Sequence, residues 1–404
     1  MEILVQKFGG TSVESYEKMN EVCKIVKSYK EQNEELGLVV VVSAMGRKGA
    51  PYATDTLINL CSEINENPQK RELDIIMSCG EMISGTILVN MLKARNIDAV
   101  FLTGYQAGII TTSDFNNAKI IDIKPKKIKQ ELENKKVVVI AGFQGATEDG
   151  EITTLGRGGS DTSAVAIGKA LGCNTVEIYT DVDGIMTADP RVEPDAKVLS
   201  CIDYEEVFQM ADKGAKVIHP RAVQLAKSGN ITLAIKNTLN QDSKGTKICL
   251  KCRGESIEYE QENSLMTAVA NKDNIAQVKI KTSEEVFTEI LNEIEKKNIS
   301  IDMINFFIQE KSFVVEEESV EELENILKDF NTQYQINKNC AKVTLIGDKI
   351  SGTPGVMAKI VRILSKSNIS LLQTSDSSMT ISCLVNKDDM SKAVHAIHNE
   401  FYLK

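Results

Sequence analysis

Six short aliphatic runs, Ile3 to Phe8, Leu38 to Ser43, Ala99 to Thr103, Val137 to Phe143, Val176 to Asp181 and Ile231 to Ile235, alternate with stretches of helical periodicity. This alternation is the tightest constraint on the fold, because parallel strands need a long crossover, usually a helix. Runs such as "LVVVVS" are apolar at successive positions rather than at alternate ones, which predicts burial on both faces. The expected first domain is therefore α/β, a mainly parallel sheet sandwiched by helices, over residues 1–245. Its rhythm fails after Asn237, where "NTLNQDSKGTKICLKCRGESIEYEQEN" is polar and turn-rich, and a linker is expected over 246–264.

Beyond that linker the chain repeats itself. "EILNEIEKKNIS" at Glu289 to Ser300 aligns with "KIVRILSKSNIS" at Lys359 to Ser370, an offset of 70 residues that places Asn298 on Asn368. A strand precedes each helix, at Val278 to Ile280 and at Val343 to Ile346, so two ferredoxin-like βαββαβ units are expected over 265–338 and 339–404. The acidic run from Glu316 to Asn325 reads as a solvated helix start rather than as chemistry.

With 57 acidic against 47 basic residues the chain carries a formal charge of -10, which argues against a nucleic-acid partner. The longest aliphatic runs are too short to span a bilayer, and "MEILVQKF" enters a strand with no charged n-region, so no membrane association and a cytoplasmic location are expected. Nine cysteines scattered over 404 residues fit reduced thiols. The one CxxC, Cys249 to Cys252, has ligand-like spacing, as do His395 and His398, but two half-buried thiols in a connecting segment are the plainer reading, and no metal site is assigned.

Chemistry concentrates in four glycine-bearing turns. In "KFGGTSV" a strand ends on Lys7 and Phe8, and Gly9 and Gly10 let the backbone come close to a ligand and aim N–H groups at an anion. "TLGRGGSDTSAVAIG", Thr154 to Gly168, makes a second such mouth, with Arg157, Ser160 and Asp161 at the start of a small-residue helix. "IYTDVDGIMTADPR" runs from a strand into a loop carrying Thr180, Asp181, Met186 and Arg191, and "KGAKVIHPRA" offers Lys216 and Val217 before a helix begun by Pro220. Neither the Rossmann fingerprint nor a Walker-type GxxxxGK[ST] occurs. Singly each turn is ordinary punctuation; together, at strand ends, they describe a nucleotide phosphate site.

These four motifs resemble those of the aspartokinase family, which has the amino-acid kinase fold, and the tandem repeat, including "GTPGVMAKI" and "NISLLQTSDSSMTISCLV", resembles that family's paired ACT domains. The resemblance covers essentially the whole chain. It implies an ATP-dependent phosphotransferase acting on the side-chain carboxylate of L-aspartate, at the head of the pathway to lysine, threonine and methionine, with Mg2+ bridging the nucleotide phosphates. It implies that Lys7 lies beside the transferring phosphoryl group, with Phe8, Gly9 and Gly10 around the phosphates, and that Asp161 orients Lys7. By the same resemblance Arg157 grips the substrate α-carboxylate, Glu81 in "SCGEMIS" pairs with its ammonium, and Ser43, Thr54 and Ser160 line the substrate region. Thr180, Asp181, Met186, Arg191, Lys216 and Val217 fall to the nucleotide, Met186 standing where the family commonly has an aromatic residue. A carboxylate nucleophile is already ionised at neutral pH, which agrees with a site that has no histidine base.

Three other readings stay open at this level: a kinase of the same fold with another acceptor, a silent amino-acid sensor, and a fusion to a second enzyme. The last is disfavoured by length, which leaves a monofunctional chain. For regulation, the resemblance implies an amino-acid effector held between ACT domains. The second repeat offers Gly352, Thr353, Pro354, Gly355 and Val356 at a helix start, facing Asp302, Met303 and Ile304 of a first repeat. Lysine is the first choice and threonine the second, and a homodimer or higher homo-oligomer through the ACT domains is expected.

Overall fold

The computed structural model describes residues 1–214, 218–250, 266–308, 310–348 and 350–402. They form two compact units, one of Met1–Ile185, Val198–Phe208 and Lys216–Glu255, the other of Met186–Lys197, Gln209–Ala215 and Ser256–Lys404.

The first unit is built on an eight-stranded sheet whose order is Cys201–Asp203, Thr246–Cys249, Thr232–Asn237, Thr175–Thr180, Ile3–Phe8, Gly37–Val42, Val137–Ala141 and Ala99–Leu102. Every neighbouring pair is parallel except Thr232–Asn237 with Thr246–Cys249. All six residues of Gly37–Val42 are buried, as a strand covered on both faces requires. The helix Tyr16–Gln32 starts where the Ser15 side chain accepts from Lys18 N–H, and it presses Met19, Val22, Cys23 and Val26 onto Phe8, Val40 and Val42. The helix Lys70–Lys93 is long and apolar enough to cross a membrane, but Leu88, Val89 and Leu92 are spent on this same core. A second sheet of four short strands, ordered Ile120–Ile123, Ile109–Thr111, Gln144–Ala146 and Ile152–Thr154, leads into the glycine turn at 156–159.

The second unit holds six strands in the order Ile301–Phe306, Lys311–Glu316, Ala268–Lys281, Gln333–Ile346, Thr380–Asn386 and Gln373–Asp376, all antiparallel. Both repeats are present, and their 70-residue offset is written in the backbone: Asn298 and Asn368 each take a positive φ just past a helix, at 56° and 53°. Their strands are interleaved. Ala268–Lys281 pairs through Ile280 and Tyr334 in the first repeat but through Ala268 and Ile346 in the second, with register shifts between Lys272 and Gln277. The start of the first repeat's strand thus completes the sheet of the second, and the expected division at 338/339 falls inside the strand Gln333–Ile346. Two cores result, one around Val278, Phe287, Phe313 and Leu327, the other around Val269, Val343, Ile360 and Val394.

Candidate active site

The C-terminal ends of Ile3–Phe8, Gly37–Val42, Val137–Ala141 and Thr175–Thr180 bring the first two predicted turns together with the start of the third. Lys7 projects from the first of these, and its Nζ lies 2.6 Å from Asp161 Oδ1, in the first turn of the helix Gly159–Leu171. Both side chains are nearly buried, so removing either partner would leave the other without its ion pair.

Gly9 donates its N–H to the Tyr179 carbonyl at 3.1 Å. That amide therefore serves the sheet, whereas Gly10 and Thr11, opening the 3-10 turn Gly10–Ser12, carry N–H groups without an acceptor among the described residues. Gly10 has its own steric reason to lack a side chain. A Cβ there would sit 2.8 Å from the Gly46 carbonyl oxygen and 2.9 Å from that of Ala44, and Gly46 N–H bonds back to Gly10 O.

The loop after Gly37–Val42 joins this turn to Glu81. The Glu81 carboxylate is buried, Oε1 accepts from Ala44 N–H at 2.9 Å, and Oε2 has no partner. Burial pushes its pKa up to about 8 against the pull of backbone N–H groups. The same loop is braced where Ser84 Oγ donates to the Ser43 carbonyl at 2.7 Å. Thr54 opens the helix Thr54–Ser62, half-buried, and Ser160 lies against Gly142 at the end of Val137–Ala141.

Arg157 is exposed between Gly156 and Gly158, whose φ values are 72° and 70°. Gly158 is doubly constrained, since a Cβ would come within 2.2 Å of the His219 side chain. Sequence reasoning gave His219 no part in the site. It lies beneath this turn, caps the helix Pro220–Gly229, and has its pKa lowered by burial and then by Arg221. Asp74 was missed as well: fully buried, it accepts from Asn116 N–H, Thr154 N–H and Thr154 Oγ1, fixing the approach to the turn. So was Arg47, whose Nη2 meets Asp181 Oδ2 at 2.8 Å; its only signal in the sequence is the glycine loop that precedes it.

Thr180 ends its strand beside this site and Asp181 follows it, with Thr180 Oγ1 donating to Asp181 Oδ1 at 3.2 Å. Met186 and Arg191 belong to the second unit, where Arg191 forks the Asp189 carboxylate through Nε and Nη2. Lys216, Val217 and Cys252 lie outside the described residues. The two histidines once weighed as metal ligands are engaged otherwise: His395 Nδ1 is 2.8 Å from Glu193 Oε2, and His398 Nε2 is 2.8 Å from Thr187 Oγ1.

In the second unit, Asp302 is paired with Lys342. Burial alone would raise the Asp302 pKa, but the Lys342 bond and the Met303 N–H hold it below the ordinary carboxylate range. Met303 is buried with φ 50°, and Ile304 is half-exposed at the bulge that follows. The strand Gln373–Asp376 reaches both predicted parts of the effector site: Gln373 Nε2 donates to the Met303 carbonyl, while Asp376 accepts from Ser351 Oγ at 2.5 Å, just before Gly352–Val356.

Residues 2–237 match the model of the amino acid kinase family, and residues 335–399 match that of the ACT domain. The chain is 41% identical to aspartokinase 1 of Bacillus subtilis over the whole of both proteins, and 37% identical to an aspartokinase of Helicobacter pylori over 99% of each. Among solved structures it is similar to Escherichia coli aspartokinase III in complex with aspartate and ADP, with TM-score 0.79 and 25% identity over the full length of both. It is also similar to that enzyme in complex with lysine and aspartate, with TM-score 0.74 and 26% identity. With the kinase family model matched over more than half of the chain and full-length identities of 41% and 37% to proteins named aspartokinase, the chain belongs to the aspartokinase family, ATP-dependent kinases of the amino acid kinase fold.

Proposed function

We propose that this chain transfers the γ-phosphoryl group of ATP to the side-chain carboxylate of L-aspartate, giving 4-phospho-L-aspartate. The observation that carries the choice of acceptor is Glu81, a buried carboxylate with one unpartnered oxygen. Such a group is costly unless a cation arrives, and the ammonium of a free amino acid is such a cation. Arg157, exposed and flanked by glycines that keep its surroundings open, takes the α-carboxylate through its planar fork. The side-chain carboxylate is then the one left to attack, and it needs no base.

Lys7, paired with Asp161, and the amides of Gly10 and Thr11 neutralise charge spreading over the transferred group. Thr180 and Asp181 take the adenosine side, and Met186, Arg191, Lys216 and Val217 remain assigned to the nucleotide from the motif alone. Mg2+ would enter on the nucleotide phosphates, where it would neutralise charge beside Lys7. The solved Escherichia coli relative bound to aspartate and ADP supports the pairing of substrates. Catalysis falls to residues 1–245, effector recognition to the ACT repeats, and the place of work to the cytoplasm, as a homo-oligomer through those repeats. Lysine is the first candidate effector, a choice supported by the relative solved with lysine.

The test is ATP turnover with L-aspartate, N-acetyl-L-aspartate and N-acetyl-L-glutamate. Only L-aspartate should be phosphorylated; comparable turnover of either acetylated acid, which has no ammonium for Glu81, overturns the assignment.

A further inference from the structure

One buried charge in the first unit has no part in the chemistry above. Glu177 lies in the middle of Thr175–Thr180, opposite Gln6 on one neighbouring strand and Ala234 on the other. Its carboxylate accepts from Gln6 Nε2 at 2.8 Å, Tyr29 OH at 2.7 Å, Tyr179 OH at 3.1 Å and Lys236 Nζ at 2.6 Å. Lys236 also donates to Tyr29 OH at 2.9 Å, so ammonium, phenols and amide form one network, in which Gln6 Oε1 alone is left without a partner among the described residues.

Side chains alternate along a strand, so this network occupies the sheet face opposite Lys7. It meets the site through the backbone. The Tyr179 ring stacks on Phe8 with centroids 4.7 Å apart, and the Tyr179 carbonyl holds Gly9 N–H. Phe8 and Gly9 immediately follow Lys7 and precede the amides of Gly10 and Thr11. The third strand is tied to the same turn further on, where Ser12 Oγ meets Thr238 Oγ1 at 2.7 Å.

Strands apolar on both faces have little in their side chains to resist slipping past one another. A buried carboxylate with four donors on two neighbouring strands, its own strand and a helix does resist, since any slip leaves polar groups unpaired. We propose that Glu177 is a positioning residue for phosphoryl transfer: it locks the three strands in register just before their loops and, through Tyr179, fixes the Phe8–Gly9 backbone from which Lys7, Gly10 and Thr11 face the transferred group. The proposal rests on the reading of those three residues given above.

A buried ion pair adds little net stability over apolar groups of the same shape, which gives a way to separate holding the fold from holding the site. The decisive variant makes the network apolar as a whole, Gln6→Met, Tyr29→Phe, Glu177→Leu, Tyr179→Phe and Lys236→Met together. Its melting temperature should equal or exceed that of the unmodified protein, while kcat falls about tenfold and KM for aspartate stays within about twofold, because a displaced donor weakens the transition state more than binding. Recovery of kcat along with the melting temperature overturns the proposal. Should the fivefold variant not fold, Tyr179→Phe alone decides, since it removes one hydroxyl and keeps the ring on Phe8: a severalfold loss of kcat at unchanged melting temperature supports the proposal, and unchanged kcat overturns it. Lys7→Ala in the same assay locates any failure. If Lys7→Ala abolishes turnover and the network variants do not lower it, Glu177 has no positioning role; if Lys7→Ala leaves turnover intact, the reading of the turn itself has failed and the proposal with it.

Discussion

Glu81 is the residue whose environment departs furthest from what its chemistry prefers. Its folded pKa of about 8 lies above the ordinary 4.5, so its burial costs nothing below about pH 4.5 and costs progressively more as pH rises toward 8. Glu81→Gln keeps the shape and the bond from Ala44 N–H while removing that cost. The variant is expected to be more stable than the parent by roughly 4 kcal/mol at pH 8, with the difference shrinking toward pH 4.5, as thermal or urea melts at several pH values will register. Substrate binding should respond in the opposite sense, because only the ionised carboxylate pairs with an ammonium. KM for aspartate should fall as pH rises from 6 to 8 in the parent, and in Glu81→Gln it should be high, roughly a hundredfold, and flat. A pH-dependent KM surviving in the variant would place the titrating group elsewhere. Glu81 and the pair Lys7 and Asp161 were legible in the sequence because their motifs carry them. Arg47 and Asp74 were not, because a partner on a distant strand or helix leaves no local pattern.

At the scale of elements, the glycine turn at 156–159 depends on what lies under it. Gly158 has a φ of 70° and faces His219 at a separation that leaves no room for a methyl group. Gly158→Ala therefore combines a left-handed backbone, worth about 1 kcal/mol, with a collision that shifts Arg157 and Asp161. Activity should drop by more than the loss of stability explains, and Gly158→Ala with His219→Ala should recover part of both; no recovery in the double variant would mean that the backbone alone is responsible. The second unit has a comparable contact between the segment Met186–Lys197 and the helix Met390–Tyr402, where His398 meets Thr187 and His395 meets the fully buried Glu193. Burial lowers the His398 pKa below its ordinary 6.5, so as pH falls through 6.5 the unfolded chain gains a proton that the folded one refuses, and stability is lost. Melts between pH 7.5 and 5 should show that loss, and His398→Gln should flatten it. Six of the eight strands of the parallel sheet were readable from apolar runs alone, and each falls within two residues of its expected ends, whereas the strands expected at Val278 to Ile280 and Val343 to Ile346 begin about ten residues earlier, at Ala268 and Gln333. The four-stranded sheet was not, since its strands of three or four residues are too short for a period to emerge. Nor was the interleaving of the repeats, because pairing across about 70 residues is settled by which edges are left open rather than by any local signal.

For the molecule as a regulated enzyme, the question is why two similar repeats should bind an effector unequally. Their helices end alike, at Asn298 and Asn368, but they begin differently. In the first repeat the Ser283 side chain accepts from Val286 N–H and Glu284 and Glu285 fill the first turn, so the amides are capped and an incoming carboxylate meets like charge. In the second, the helix Val356–Lys366 begins at Gly355 with φ 88°, without a side-chain cap and without acidic residues in its first turn; Val356 N–H reaches the Thr353 carbonyl at 3.5 Å, and the two amides after it are left for a ligand. The opposite half of the expected site is already occupied, since Lys342 holds Asp302. A lysine effector whose ammonium is to reach Asp302 must displace or share Lys342, which belongs to the strand Gln333–Ile346 common to both repeats, and a ligand that prefers one arrangement of that pair would shift the balance toward it. Calorimetry with lysine is thus expected to give about one site per chain or fewer. Gly355→Glu should abolish inhibition relative to the variant's own uninhibited rate by placing a carboxylate at the helix start, whereas Gly355→Asn, which tolerates the left-handed backbone at a cost of about 1 kcal/mol or less, should keep it. A Cβ at Gly355 meets nothing within 4 Å, so neither substitution collides with its neighbours, and the contrast between them isolates charge from backbone geometry. Two tight lysine sites per chain, or full inhibition in Gly355→Glu, would show that the capped start of the first repeat binds effector after all.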